Sequence, residues 1–133
     1  MGKKRQHIKA PLISIVDDDQ SVVEAMVSLI ESVGYRAKGF RSAKDFLKSR
    51  QLVNSACLIL DVLMPSIDGF ELQRQLAARN YRIPIIFITS FDSDDVRIRA
   101  FQAGAVEFLC KPFTQESLFQ AVRSALANQQ GET

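Results

Sequence analysis

Short, mostly apolar runs alternate along this chain with longer amphipathic stretches. The runs cover residues 12–16, 35–40, 56–60, 85–88 and 106–109, and their length and composition predict strands. Apolar residues recur at three- and four-residue spacing over residues 21–33, 42–47 and 68–79, in a stretch ending at 103, and over 114–130, which predicts helices. Because strands and helices alternate, we expect an α/β fold with a parallel sheet covered on both faces.

Residues that begin or end helices support these boundaries. Asp19 and Ser42 are suited to N-caps, and the acidic stretch 92–95 suits the start of the fourth helix. Gly34 and Gly104 end helical patterns. Right-handed crossovers and short connections favour a flavodoxin-like (βα)5 doubly wound sheet with strand order 2-1-3-4-5, in which the first and third strands are neighbours.

Polar residues with complementary chemistry lie at the ends of four predicted strands. Asp17 and Asp18 follow the first strand, Asp61 follows the third, and Thr89 and Lys111 follow the fourth and fifth. Because the carboxyl ends of parallel strands meet at one edge of a sheet, we expect these side chains to lie together. Taken singly, each has an ordinary explanation as a turn or cap residue, a strand-end hydroxyl or a solvated lysine. The functional interpretation therefore depends on all of these residues lying together at one edge of the sheet.

Three carboxylates in one pocket raise one another's pKa unless a positive charge lies among them. Lys111 is one candidate, and clustered carboxylate oxygens also suit Mg²⁺, which takes further oxygen ligands from a phosphoryl group. Asp61 is the candidate nucleophile because it stands alone on the central strand, whereas Asp17 and Asp18 form a pair suited to a metal. The Thr89 hydroxyl is a candidate hydrogen-bond partner for a phosphoryl oxygen.

Composition indicates one domain with a hydrophobic core, since the chain has 133 residues of which 47% are hydrophobic. The net charge is +2, but Lys3, Lys4, Arg5 and Lys9 supply four positive charges, so the remainder carries −2 and does not suit direct nucleic-acid binding. We interpret residues 1–10 as a flexible basic terminus, 11–128 as the domain, and 129–133 as a polar tail or the start of a linker.

Two further observations concern location and the cysteines. No apolar run reaches the roughly 20 residues of a membrane-spanning helix and no signal sequence follows Met1, so we expect a soluble cytoplasmic protein. Cys57 lies within a predicted strand and Cys110 at the end of another, without a partner spacing, which predicts reduced, buried thiols.

Four separated segments together resemble the receiver domain of bacterial two-component response regulators. They read VDD at 16–18, LDVLMP at 60–65 with DG at 68–69, ITS at 88–90 and KPF at 111–113. The resemblance in order and spacing extends over roughly residues 12–127, and agreement at four sites is far more specific than any single motif.

The resemblance implies a role for each site residue. Asp61 would accept a phosphoryl group from a sensor histidine kinase, and Mg²⁺ would bind Asp17, Asp18, Asp61 and the backbone carbonyl of Leu63. Thr89 and Lys111 would contact the phosphoryl oxygens, and the Lys111–Pro112 peptide would be cis. The domain would not be an enzyme with an external substrate, because its chemistry would be self-phosphorylation followed by slow autodephosphorylation.

The resemblance also implies a switch and an output surface. Phe108 falls where receivers carry a switch aromatic that turns inward as Thr89 moves, although it lacks a tyrosine hydroxyl and is equally typical of plain core. The pattern GAVEFL at 104–109 resembles regulators with a C-terminal LuxR-type helix-turn-helix. Receivers of this type dimerise or bind partners through the fourth helix, fifth strand and fifth helix, where this chain has Arg97, Arg99, Phe101, Glu107 and Gln120.

Leu63 and Phe91 stand two positions beyond Asp61 and Thr89, and both are bulky and apolar. They flank the route of an attacking water in the expected site. We therefore predict slow loss of the phosphoryl group.

Other functional classes fit the residues less well. A receiver-like interaction module without phosphorylation would be favoured if Asp61, Lys111 or the acidic pair were missing, and none is. A flavin carrier needs a phosphate-binding loop after the first strand, where Asp17 begins an acidic run instead. A haloacid-dehalogenase-type phosphatase needs a second aspartate at the position of Leu63.

Overall fold

The computed structural model describes residues 10–65, 67–91 and 93–131. The strands are β1 (Leu12–Val16), β2 (Arg36–Phe40), β3 (Ser55–Asp61), β4 (Ile85–Thr89) and β5 (Glu107–Cys110). They pair in parallel in the order β2-β1-β3-β4-β5, which confirms the predicted flavodoxin-like sheet. Within the described ranges the helices are α1 (Gln20–Ser32), α2 (Ala43–Lys48), α3 (Gln51–Asn54), α4 (Gly69–Ala78), α5 (Asp94–Gln102) and α6 (Gln115–Gly131).

Side chains that alternate along the strands build a separate hydrophobic core on each face of the sheet. On β3, Cys57 and Ile59 face one core, which includes residues of α1 and α6. Leu58 and Leu60 face the other core, which includes residues of α2, α4 and α5. Because β1, β3 and β4 are buried on both faces, they appear in the sequence as largely apolar runs, whereas the edge strand β2 is partly exposed and carries Arg36 and Lys38.

The predicted caps fit the structure. The Asp19 carboxylate accepts hydrogen bonds from Ser21 N–H and Val22 N–H at the start of α1, at 2.9 and 3.3 Å. The Ser42 hydroxyl accepts one from Asp45 N–H at 3.0 Å at the start of α2. These caps satisfy backbone donors that have no partner within a helix.

Some predicted boundaries are wrong. Helix α3 was not predicted, because it has four residues and buries only Leu52. Strand β3 begins one residue earlier than predicted and includes Asp61, while β5 runs from Glu107 to Cys110 and is shifted by one residue. Strand β2 begins at Arg36, one residue late, and α6 extends to Gly131, into the predicted polar tail.

Several predictions fall on residues that the structure does not describe. They are the basic N-terminus up to residue 9, the helix-start residue Asp92, and residues 132–133 of the tail. None of the helices in the described part of the chain combines the length and apolar character needed to cross a bilayer.

Candidate functional site

Asp17, Asp18 and Asp61 meet at the carboxyl edge of the sheet. Val16 pairs with Leu60 across β1 and β3, so the aspartates that follow these residues come side by side. Each aspartate offers a carboxylate oxygen, and these oxygens all lie within 4.8 Å of one another. Asp17 is fully buried and Asp61 is 5% exposed, whereas Asp18 is exposed to solvent. The structure thus brings together the three carboxylates that the sequence places after neighbouring strands.

Lys111 supplies the positive charge of this cluster. Its ammonium donates a hydrogen bond to Asp17 Oδ2 at 2.8 Å and lies 3.6 Å from Asp61 Oδ2. Burial acts to lower the pKa of Lys111, but the carboxylates of Asp17 and Asp61 outweigh it and raise this pKa overall. Lys111 therefore remains charged and joins the two buried aspartates.

The environment of Asp61 opposes its ionisation. Burial, which is the largest effect, and repulsion by the Asp17 carboxylate raise the pKa of Asp61, which lies at about 7 overall. The Lys111 ammonium and a hydrogen bond from Leu63 N–H, 3.3 Å from Asp61 Oδ1, offset these effects only in part. When ionised, the three carboxylates carry three negative charges against the one positive charge of Lys111, which favours binding of a cation among them.

Backbone hydrogen bonds orient the Asp17 carboxylate. Its Oδ1 atom accepts a hydrogen bond from Asp19 N–H at 2.9 Å, while Oδ2 faces Lys111. Asp19 itself caps α1, so Asp17 and Asp18 are not needed for that role. This division of labour favours the functional interpretation of the acidic pair over the cap interpretation.

The loop after Asp61 folds back tightly against β3. Asp68 caps α4 by accepting a hydrogen bond from Glu71 N–H at 2.8 Å. Gly69 N–H then donates to the carbonyl of Val62 at 2.9 Å. A Cβ atom at residue 69 would lie only 2.5 Å from the backbone carbonyl oxygen of Asp61, so only glycine fits here without a shift of the backbone.

Thr89 is fully buried at the end of β4, next to β5. Its hydroxyl accepts a hydrogen bond from Phe91 N–H at 3.1 Å, and Lys111 N–H donates to its carbonyl at 2.7 Å. Ser90, which follows, is exposed and small. The Thr89 side chain is thus held at the same sheet edge as Asp61 and Lys111.

Leu63 and Phe91 lie on the two loops that leave the site. Their side chains are 55% and 57% exposed, which is unusual for large apolar residues. Their roles in excluding water, and that of the Leu63 carbonyl as a metal ligand, stay predictions. The Lys111–Pro112 peptide is cis, as the resemblance implied.

Phe108 packs in the core and is 6% exposed. The guanidinium carbon of Arg97 lies 4.8 Å from the centroid of its ring. The ring is therefore buried in this structure, as expected both for a core residue and for an inward-turned switch aromatic.

The two cysteines differ. Burial raises the pKa of the Cys57 thiol to about 12, so it is an unreactive core residue, as predicted. Cys110 is only half-buried, so the prediction that its thiol is buried in the core was wrong. It ends β5, where the sheet gives way to the loop that carries Lys111.

Sequence reasoning missed two residues near the site. Gly69 belongs to a quoted motif, but its close approach to the Asp61 carbonyl depends on how the loop folds. Arg97 was grouped with a surface of mixed charges, since nothing in its helical spacing indicated an aromatic partner on β5. The sequence did offer one indication of this contact, because Arg97 lies in the first turns of α5 and Phe108 is an aromatic residue three positions before Lys111.

Comparison with known proteins agrees with this geometry. The model of the family described as "Response regulator receiver domain" matches residues 13–123. The response regulator protein TmoT of Ectopseudomonas mendocina is 43% identical over 126 residues, which cover 95% of this chain and 57% of TmoT. TodT of Pseudomonas putida is 42% identical over 125 residues, covering 94% of this chain and 55% of TodT. The chain thus spans about half the length of these curated relatives.

A solved structure agrees as well. The response regulator StyR superposes with a TM-score of 0.84 at 40% identity, covering 92% of this chain and 62% of StyR. Receiver domains of two-component systems interact with histidine kinases, generally bind Mg²⁺ at an acidic pocket, and often dimerise. With the family model matching most of its length, this chain belongs to the response regulator receiver domain family.

Proposed function

We propose that Asp61 of this receiver accepts a phosphoryl group from a sensor histidine kinase, with Mg²⁺ as the cofactor. One observation carries the proposal: the nearly buried Asp61 carboxylate lies beside both a second carboxylate and the Lys111 ammonium, at the same edge as the Thr89 hydroxyl. This arrangement offers a nucleophile and a positive charge to one incoming group.

The donor set fits Mg²⁺. Asp17, Asp18 and Asp61 would hold the ion, with the Leu63 carbonyl as a further ligand, and the ion would offset the uncompensated negative charge of the cluster. When bound, Mg²⁺ neutralises charge on the phosphoryl oxygens.

The residues of the chain would share the transfer as follows. A carboxylate oxygen of Asp61 forms a bond to phosphorus while the bond from phosphorus to the kinase histidine nitrogen breaks, and the imidazole keeps the electron pair. Lys111 places its ammonium against a phosphoryl oxygen, and the Thr89 hydroxyl donates a hydrogen bond to another. The chain acts on no external substrate, and water removes the phosphoryl group slowly past Leu63 and Phe91.

The output is proposed from the exposed surface and the relatives. Phosphorylation would change the surface of α5, β5 and α6, which are the predicted fourth helix, fifth strand and fifth helix, and would favour a homodimer. This surface includes Arg97, Arg99, Phe101, Glu107 and Gln120. The relative TdiR of Thauera aromatica, 36% identical over 118 residues, is named a transcriptional regulatory protein. We propose that the longer protein likewise regulates transcription, through a C-terminal helix-turn-helix of the LuxR type, and that this domain does not itself bind nucleic acid.

Intact mass spectrometry tests the proposal. The parent protein is incubated with Mg²⁺ and acetyl phosphate, with Asp61→Asn in parallel, and the parent alone should gain the mass of one phosphoryl group. If the parent gains nothing and beryllofluoride changes no resonance near Thr89, the chain is a phosphorylation-independent interaction module instead.

A further inference from the structure

Two arginines help to hold helix α5 against the domain. Ala100 is the buried residue of this helix, so apolar packing attaches it less firmly than α1 or α4. The guanidinium carbon of Arg97 lies 4.8 Å from the ring centroid of Phe108, and that of Arg99 lies 4.3 Å from the ring centroid of Phe70. Both distances are typical of cation–π contacts. The position of α5 therefore depends in part on these two stacks.

The two arginines reach different elements. Phe108 belongs to β5, whereas Phe70 belongs to α4, where it packs on Phe87 with ring centroids 4.9 Å apart. Arg97 makes a further contact, since its Nη2 atom lies 3.9 Å from Cys110 Sγ. Alternate residues of a strand face the same side, so Arg97 contacts the face of β5 that carries Phe108 and Cys110.

The end of β5 leads directly into the phosphorylation site. Cys110 pairs with Thr89 in the sheet and immediately precedes Lys111. The Lys111 backbone N–H donates a hydrogen bond to the Thr89 carbonyl, and the Lys111 ammonium donates one to the Asp17 carboxylate. A displacement of this end of β5 would therefore also move Lys111 and Thr89, the residues proposed to contact the phosphoryl oxygens.

We propose that Arg97 is a positioning residue that couples helix α5 to the phosphorylation site, by holding Phe108 and Cys110 and thereby keeping Lys111 in place for phosphoryl oxygens. The inference rests on the proposed function and adds a route by which the site and the output surface influence each other. Coupling of this kind is reciprocal: an α5 held in place favours the loaded site, and the loaded site favours that position of α5.

Arg97→Met tests the coupling, with Arg99→Met as the matched control. Each variant replaces one exposed guanidinium with an uncharged side chain of similar length and removes one aromatic stack from the same helix. Affinity for beryllofluoride in the presence of Mg²⁺ is measured by backbone NMR titration. Arg97→Met should bind about three- to tenfold more weakly than the parent, and Arg99→Met should remain within about twofold.

Two additional readouts separate positioning from general destabilisation. Without beryllofluoride, Arg97→Met should shift the amide resonances of Cys110 and Lys111, whereas Arg99→Met should leave them in place. Arg97→Lys, which retains the positive charge, should recover part of the lost affinity.

The results can overturn the inference without touching the proposed function. If the parent binds beryllofluoride and Arg97→Met binds equally well or more tightly, Arg97 does not position the site. Equal losses in both variants would show a general effect of loosening α5, which also contradicts a specific role. A parent that fails to bind would remove the proposed function itself, and the coupling with it.

Discussion

Asp61 lies where its surroundings oppose the charge that nucleophilic attack requires. Burial and the Asp17 carboxylate raise its pKa to about 7, so without a cation much of the population is protonated near neutral pH. A divalent cation among the same carboxylates would reverse that balance. In the proposed mechanism, the site should therefore become reactive when its cation is bound.

This balance predicts how stability depends on pH. The pKa of Asp61 in the folded protein is raised from 3.8, so the protonated form is favoured, and stability is lost as pH rises from about 4 through 7. Asp61→Asn removes the penalty. In metal-free buffer at pH 8 the variant should be more stable by about 1–2 kcal/mol, a discounted value because solvent at the mouth of the pocket screens the charges.

Urea unfolding at pH 4 and pH 8 measures this difference. The gain should vanish near pH 4 and shrink at pH 8 when Mg²⁺ is added. Glu24→Gln, which changes an exposed carboxylate on α1, is the control and should show no such pattern. A gain that is the same at both pH values would contradict the assigned cause.

The exposed side chains of Leu63 and Phe91 predict a long-lived phosphoryl group. Both stand on loops that leave the site, and bulky apolar groups there hinder an approaching water. Phe91→Ser should hasten the loss of the phosphoryl group severalfold, followed by intact mass over time. Ile98→Ser, at an exposed apolar residue of α5, should leave the rate unchanged. A lifetime of only seconds in the parent would refute the prediction.

The sequence predicted which residues meet at this edge of the sheet but not their individual environments. Asp17 and Asp18 are indistinguishable in a run of three aspartates, yet the first is buried and the second is exposed. Likewise, the preference of Lys111 for Asp17 over Asp61 depends on side-chain paths across β1, β3 and β5. Strand ends can be inferred from the sequence pattern to within about one residue, whereas such pairings depend on tertiary packing.

At the level of elements, the junction between β3 and α4 fixes the backbone at Asp61. Helix α4 starts so close to β3 that a side chain at Gly69 would collide with the Asp61 carbonyl. Gly69→Ala should therefore destabilise the domain by about 2–3 kcal/mol and slow phosphorylation by acetyl phosphate.

Gly104→Ala provides the comparison for that variant. Gly104 has a φ of +97° and open space around its Cα, so alanine there should cost about 1 kcal/mol through backbone strain alone. Phosphorylation should be unaffected, because Gly104 follows α5 at the opposite end of β5 from Lys111. Equal phosphorylation rates in both variants would contradict the role given to Gly69. Unfolding and phosphorylation rates are measured on the same preparations.

Element boundaries were predictable where an apolar period and a cap coincide. Helix α1 has both, with Asp19 as its cap and Met26 and Ile30 on its buried side. Helix α3 has no repeating apolar pattern and its N-cap residue Arg50 makes no side-chain cap bond; instead the Ser49 hydroxyl accepts a hydrogen bond from Gln51 N–H at 2.9 Å, and Leu52 packs into the core. Local sequence does not specify such a turn.

At the level of the whole molecule, the strand order could be predicted from the alternation of strands and helices and from the lengths of their connections. The oligomeric state could not be predicted in this way. Helix α5 exposes Ile98 and Phe101, which are 54% and 46% exposed, on the surface proposed for dimerisation. Phosphorylation should therefore increase the sedimentation coefficient in a concentration-dependent manner. Ile98→Glu should prevent the increase while leaving phosphorylation intact, whereas Val53→Glu, at an exposed residue of α3, should not. Identical sedimentation before and after phosphorylation would rule out dimerisation.

The identity of the phosphorylated residue is the central claim, and borohydride reduction tests it most directly. After incubation with Mg²⁺ and acetyl phosphate, borohydride converts an aspartyl phosphate into homoserine, which peptide mass spectrometry then locates. We predict homoserine at position 61 alone. Homoserine at Asp17 or Asp18, or at no aspartate of a protein that has gained a phosphoryl group, would contradict the account.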